Sequence, residues 1–267
     1  MSTCGTEFLK DSADAHLICS NSRGVVTASC SLWWNGTPRI NGEQVGFIGH
    51  YDANDEACGA ELLEDALQYL TRKNCAIAVG PVDGSTWRNY RFITGSSDVP
   101  LFFLENQNPP HWPVHFLKGG FDVCARYFSA INSDLSRRDP RAEDIRSKLS
   151  RDGVSFRTFD MSRKIDELKS ILAVSRAAFE RNFLYSDISD LEFFAKYTPL
   201  LQFLSPELVI MMERRGELVG FCLTVPNYPE GAKPSRAILK TLARIPDRSL
   251  AGAGRLMLDL SHKQAEE

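Results

Sequence analysis

The chain has 267 residues, 43% of them hydrophobic, with a formal net charge of −3 and an isoelectric point near 6.0. That is enough apolar material for the cores of one large or two small domains. The slight acidic balance offers no basic face for nucleic acid or an anionic membrane, and the apolar runs are strand-sized, far short of a bilayer span.

In chain order, Ala15–Ser20 reads as a strand, residues 21–24 as a turn and residues 25–34 as a second, β-branched and aromatic strand. Asn35, Gly36 and Pro38 break it, and residues 44–51 form a third strand. Residues 56–74 carry Leu62, Leu63, Ala66, Leu67 and Leu70 at a helical period, followed by a short apolar strand over 75–80. Residues 100–104 suit another strand, 112–119 a short helix and 122–129 a closing strand.

Residues 132–152 mix Arg137, Arg138, Arg141, Arg146 and Lys148 with Glu143 and Asp144. The interspersed acids argue for a linker and then a solvated helix over 142–149, with Ile145 and Leu149 touching the body, rather than a nucleic-acid patch. Residues 154–159 suit a strand, 164–182 and 189–201 two helices, and 208–213 and 218–225 two strands joined by a turn at Arg214, Arg215 and Gly216. A strand over 237–247, a small-residue loop over 248–254 and an amphipathic helix from Arg255 close the chain.

That last unit carries the clearest chemistry. Gly252 and Gly254 leave room for backbone to wrap an anion, and the following helix aims free N–H groups and the positive end of its dipole at the same spot. A phosphate-bearing, nucleotide-like cofactor is expected there. The two halves also repeat each other weakly: residues 17–28 align with 209–220, and each half reads strand, Gly turn, strand, break, third strand, loop, helix. This is not a βαβ pattern, and repetition on this scale points to two related domains. The expected division is 1–133, a linker and helix over 134–153, and 154–267.

The seven cysteines, Cys4, Cys19, Cys30, Cys58, Cys75, Cys124 and Cys222, include no C-x-x-C pair, so reduced core thiols are expected and a zinc site is not. Residues 1–7 have no charged head followed by an apolar run. Both features point to the cytoplasm.

With the meander, the loop and the helix in sequence, the chain resembles the GNAT N-acetyltransferase superfamily. The family's loop reads Gln or Arg, two residues, Gly, one residue, Gly or Ala. The matching positions are Ser249, Gly252 and Gly254, with Leu250, Ala251 and Ala253 between them; Ser249 departs from the pattern and the glycines carry the match. Over its whole length the chain is similar to bacterial tandem GNAT-like proteins, through residues 30–34, 45–51, 79–92, 101–106, 108–110 and 182–185. The resemblance implies an α+β (mixed α/β) fold of two GNAT-like domains, each a mostly antiparallel meander sheet flanked by helices, the second lacking its C-terminal strands. It implies acetyl-CoA or another acyl-CoA as cofactor, with Leu242, Ala243 and Arg244 along its arm and Ser249, Leu250, Ala251, Gly252, Ala253, Gly254 and Arg255 at its pyrophosphate. It implies a small-molecule amine as acceptor, with no nucleic-acid or membrane partner; an oligomer is compatible with it.

In the first half the equivalent loop, Asn54 to Gly59, has one glycine and two acids where a pyrophosphate would sit, so that domain is expected to be degenerate. In the second half Glu267 falls ahead of the strands that complete the family's acyl cleft and often supply a tyrosine. A partner segment, a different arrangement or a truncated chain would each account for that.

Acyl transfer to an amine needs a base and donors for the developing oxyanion. No residue stands out as the base. Arg248 and Arg255 flank the loop and suit either phosphate pairing or solvation. Tyr185, Asp187 and Glu192 lie where the family places acceptor residues, although surface and capping roles fit them better, Ser186 or Asp187 suiting a helix cap. His50 and Tyr51 end a strand beside the degenerate loop. Trp87, Arg88, Tyr90 and Arg91 suit either an anionic, planar ligand or the seam between the halves. His111 and His115 have Pro113 between them and no third ligand, so no metal is expected. A non-catalytic module on the same fold, binding a CoA-like ligand or another protein, is the alternative reading.

Overall fold

The computed structural model describes residues 13–95, 102–230 and 234–266. They fall into two units, each with its own mainly antiparallel sheet flanked by helices: unit 1 takes residues 1–100, 105–127 and 182–186, and unit 2 takes 101–104, 128–181 and 187–267.

Unit 1 contains β1 (Ala15–Ser20), β2 (Val26–Trp33), β3 (Arg39–Ile40), β4 (Glu43–Ala53), α1 (Glu56–Arg72), β5 (Ile77–Val79) and α2 (Trp112–Lys118). The strands run in the order β1-β2-β4-β3, antiparallel, and β5 joins β4 in parallel after the α1 crossover. Strand alternation divides the apolar residues between the two faces. Cys30 and Leu32 pack with Leu62, Leu63, Ala66 and Leu70 of α1, while Trp33, Val45 and Phe47 join Val79, Val82 and Leu184 in a second cluster. Gly46 is bare because Leu70 lies over it: a Cβ there would sit 2.6 Å from Leu70 Cδ2.

Unit 2 contains α3 (Ala142–Arg151), β6 (Val154–Thr158), α4 (Lys164–Phe179), α5 (Asp190–Tyr197), β7 (Val209–Arg214), β8 (Glu217–Pro226), β9 (Ala237–Arg244) and α6 (Ala253–Glu266). The sheet order is β6-β7-β8-β9, antiparallel throughout. The tight β7–β8 hairpin turns on Arg215 and Gly216, both at positive φ (55° and 85°), the backbone a two-residue hairpin requires. Ile210, Met212 and Cys222 pack against Leu250, Leu256 and Met257. Arg157 on β6 ties α4 to the sheet, 2.8 Å from the buried Glu167 and 2.7 Å from Glu213 on β7.

The internal repeat survives as element order: β1-turn-β2, then β4 and α1, corresponds to β7-turn-β8, then β9 and α6. Among the described residues, β5 has no counterpart after α6 and β6 has none before β1.

Several expected elements differ. Of the strand expected over 100–104, residues 100 and 101 lie outside the described residues and 102–104 are not strand; the Phe103 amide instead donates to Asn227 Oδ1 at 2.8 Å. Residues 122–129 pair with no sheet, so their β-forming side chains build no ladder. The helix expected over 189–201 ends at Tyr197 and continues as a 3-10 stretch, because Pro199 cannot supply an amide to the α-helical ladder.

α3, expected as a solvated helix with Ile145 and Leu149 touching the body, does place both against the unit 2 core, and Leu149 is buried completely. Leu149→Ala is expected to destabilise unit 2 by about 2–5 kcal/mol. Faster amide hydrogen exchange at Met211 and Met212 of β7 would register it, and an unchanged rate would place α3 outside the core.

Candidate functional site

The β9–α6 connection is built from its polar braces inward. Leu242, Ala243 and Arg244 end β9 in register with Cys222, Phe221 and Gly220 of β8. Ala243 is buried, and Arg244 turns back so that its Nη1 donates to the carbonyls of Ile245 (3.1 Å) and Asp247 (3.0 Å). Asp247 then organises the turn. Its Oδ1 accepts from the Ser249 amide at 2.8 Å and the Ser249 hydroxyl at 2.7 Å. Its Oδ2 lies 2.8 Å from Arg214 on β7, which also donates to Ser249 Oγ at 3.0 Å. The Ser249 hydroxyl and amide, followed by Arg214, hold the Asp247 carboxyl down at about 2.

Beyond this brace, Leu250 is fully buried and anchors the turn to the core, while Ala251 is exposed. Gly252 has φ +91°, a conformation L side chains avoid, and Ile145 of α3 lies beneath it, 3.2 Å from where a Cβ would be. The Gly252 carbonyl accepts from the amides of Arg255 (3.0 Å) and Leu256 (3.2 Å), which starts α6. Gly254 lets the helix approach β9, with Leu242 Cδ2 3.3 Å from a Cβ position there.

The amides of Ser249, Leu250 and Ala251 are satisfied within the turn by Asp247 and Arg248. Among the described residues, no protein group accepts from the amides of Gly252, Ala253 and Gly254. Arg248 is exposed, and Arg255 stands 3.7 Å from Asp139 with its side chain 57% exposed. The structure therefore brings residues 249–255 into one continuous turn. It gives Arg244 and Ser249 side-chain roles inside that turn, as braces. Asp247 and Arg214 were missed by the sequence reading. The Asp-x-Ser spacing, which favours a side-chain-to-backbone turn, was the available signal for Asp247.

The corresponding helix start in unit 1 is closed by its own side chains. Asp55 caps α1, its Oδ1 accepting from the Cys58 amide at 2.9 Å, and its carbonyl accepts from Gly59 at 3.0 Å. Glu56 is paired with Lys118 of α2 at 2.7 Å. The buried Tyr51 hydroxyl and His115 Nδ1, 2.9 Å apart, press against Gly59 where any Cβ would collide with both. Burial, then the neighbouring His111, pushes His115 below the usual histidine range, so this ring favours the neutral form.

The remaining candidates lie elsewhere. Trp87 Nε1 donates to the Ser186 carbonyl at 2.9 Å, with the Tyr185 ring 6.2 Å away, all within unit 1. Arg91 pairs with the buried Glu105 at 3.2 Å and lies over the Tyr90 and Tyr127 rings. Asp187 pairs with Arg176 at 2.8 Å. The cap of α5 is Ser189, not Ser186 or Asp187, because the helix starts at Asp190; Ser189 Oγ accepts from the Glu192 amide at 3.2 Å. Among the described residues no three His, Cys, Asp or Glu side chains gather as a metal site, and no helix is long and apolar enough to cross a membrane.

The Asp247 brace has a definite acid dependence. Its carboxyl is depressed in the folded chain, so its contribution is complete above the ordinary aspartate value of about 4 and is lost as pH falls toward about 2. Protection of the Ser249 amide, referred to its intrinsic exchange rate at each pH, should fall across that window, and Asp247→Ala should lower it at neutral pH and remove the acid step.

No family model matches the sequence, and no curated protein matches it. Among solved structures, the chain is similar to the GCN5-related glucosamine N-acetyltransferase region of a fungal multi-domain GH3 beta-N-acetylglucosaminidase, with a TM-score of 0.46 and 11% identity over 94% of this chain and 29% of that one. It is also similar to a GCN5-related N-acetyltransferase from Sphaerobacter thermophilus, with a TM-score of 0.43 and 12% identity over 94% and 67%. L-PGS from Bacillus licheniformis gives a TM-score of 0.35 and 12% identity over 94% and 65%. The chain thus spans less than two thirds of the fungal and Bacillus chains. At these identities and scores the likeness extends no further than the general course of the chain.

Proposed function

We propose that unit 2 binds an acyl-CoA, acetyl-CoA or a close relative, and that the protein transfers the acyl group to the amine of a small molecule in the cytoplasm. One observation carries this reading: three successive amides, those of Gly252, Ala253 and Gly254, have no acceptor among the described residues at the start of a 14-residue helix, with Gly252 and Gly254 half-buried and Ala253 buried between them. An anion there meets oriented N–H donors and the positive end of the helix dipole together. A pyrophosphate suits that cradle. Gly252 keeps the backbone bare on the approach, and Arg248 and Arg255 supply flanking charge.

Among the described residues no strand pairs with the outer edge of β9. In this reading an extended chain leaving the loop, as the arm of CoA is, runs along the backbone from Leu242 to Arg244. Bound acyl-CoA would supply an activated thioester. The chain's own part is to hold the diphosphate at the Gly252–Gly254 segment, with Ser249 and Leu250 bracing it from behind, and to align the arm along β9, so that the thioester carbonyl is presented at a fixed distance from the loop. Unit 1, whose helix start is occupied by Asp55, is read as the degenerate companion domain.

Calorimetry with acetyl-CoA on the full chain should give one site per chain, and two sites would overturn the closed reading of unit 1. Gly252→Glu places a carboxylate and a strained backbone at the cradle. It should weaken binding at least tenfold while the fold, monitored by circular dichroism, persists; retained affinity would overturn the loop assignment. Free CoA thiol released with acetyl-CoA and a panel of small amines would support transfer. Binding without release would leave a CoA-binding module.

A further inference from the structure

Unit 1 holds a cleft that acyl-CoA binding does not use. Its volume is about 330 Å³, within the range of small-molecule sites, roughly 300–1,000 Å³. Two features of the chain border it. One is the tight β3–β4 hairpin, whose Asn41 and Gly42 both take positive φ (52° and 85°), the backbone of a two-residue turn. The other is the exit of α1, where Asn74 at φ +62° turns the chain toward β5. Asparagine adopts that conformation more readily than most residues.

The frame is held by the chain's own bonds. Gln44 on β4, the register partner of Arg39 on β3, donates from Nε2 to the Trp34 carbonyl at 2.7 Å and to Thr37 Oγ1 at 3.0 Å. The Gln44 backbone carbonyl accepts from the Ala76 amide at 3.0 Å, which ties the hairpin to the segment after α1. Asp14 accepts from the Trp34 and Asn35 amides at 2.7 and 2.9 Å, and from Asn35 Nδ2 at 2.7 Å. The side-chain nitrogens of Gln44 and Asn35 are thus spent on protein acceptors, and their oxygens, Oε1 and Oδ1, remain to accept. The half-buried Trp34 indole supplies a wall. The Tyr69 ring tilts against it at 5.6 Å, and Lys73 Nζ lies over it, 5.0 Å from the ring centre.

Three charges line the cleft, those of Arg39, Lys73 and Glu43, and among the described residues none of them forms an ion pair. Arg39 Nη1 donates to the Gly42 carbonyl at 2.6 Å, and the Lys73 ammonium rests against the Trp34 and Tyr69 rings. Neither contact neutralises the cation. The Glu43 carboxylate and the Asn74 side-chain amide meet no described protein partner. An apolar occupant would strip water from all of these groups without replacing it. A purely anionic ligand would face Glu43, and a purely cationic one would face Arg39 and Lys73. A small molecule with charges of both signs meets each group with its complement.

We propose that this cleft binds a free α-amino acid with a polar, uncharged side chain. The carboxylate lies between Arg39 and Lys73, and the ammonium group lies at Glu43. The side-chain amide or hydroxyl is received by Asn74, Asn35 Oδ1 and Gln44 Oε1, with the Trp34 indole along the aliphatic stem. No bond is made or broken: this is a recognition site, and it stands independently of acyl-CoA binding in unit 2.

The test is an NMR titration of the full, nitrogen-labelled chain with L-glutamine. The Trp34 indole and the Lys73 and Asn74 amides should shift together and saturate; no saturable shift there would overturn the site. N-Acetyl-L-glutamine lacks the ammonium charge, and L-glutamine methyl ester lacks the carboxylate. Each should bind more weakly by about tenfold or more. An equally tight N-acetyl compound would make the cleft a plain anion site, an equally tight ester a plain cation site, and either would overturn the assignment. Arg39→Ala should weaken L-glutamine and leave the affinity of the ester unchanged. Glu43→Gln should weaken L-glutamine and leave that of the N-acetyl compound unchanged. Both positions are exposed, so the variants keep the fold; L-glutamine binding unmoved by both would overturn the placement of its charges.

Discussion

An α-helix begins with amides that its own turns cannot satisfy, and the two units treat theirs in opposite ways. In unit 1 the acid comes from the chain: Asp55 caps α1, and the Tyr51–His115 pair fills the space against Gly59. In unit 2 the brace stops one turn earlier. Asp247 satisfies Ser249, and Leu250 is sunk into the core. The amides of Gly252, Ala253 and Gly254 then meet no acceptor among the described residues. The same supersecondary order therefore yields one helix start sealed by its own side chains and one whose first amides meet no described protein acceptor.

That difference rests on how each helix meets its sheet. In unit 1, Leu70 lies on Gly46 and α1 leads directly into β5, which closes the outer side of β4 in parallel. In unit 2, Gly254 brings α6 close to Leu242 while the outer side of β9 stays without a described strand. The loop is braced through Arg214, Asp247 and Ser249 and carries no side chain at Gly252 and Gly254.

Much of the fold was legible because its signals are local. β-Branched runs, the Gly216 turn and the leucine spacing of α1 each carry their own mechanism, and Gly252 and Gly254 marked the loop. The rest depended on partners distant in sequence. The segment over 122–129 has strand chemistry, but a strand needs an edge to pair with, which no local pattern supplies. Arg214 became part of the loop only through the β7–β8 hairpin, and Leu149, already expected to touch the body, became fully buried once α3 lay against α6. The cleft beside Trp34 was the least visible. It forms only where the β3–β4 hairpin meets the exit of α1, and neither the spacing of Arg39 and Glu43 nor that of Lys73 and Asn74 announces the other.

Ile145 gives the β9–α6 turn an unexpected floor. It belongs to a helix that precedes every strand of unit 2, yet it underlies Gly252, near the far end of that unit. A fragment excised at Val154, where the sheet begins, would keep all four strands and lose the support beneath the turn. A piece of unit 2 that keeps the floor of this turn must therefore start ahead of Ala142, where α3 begins.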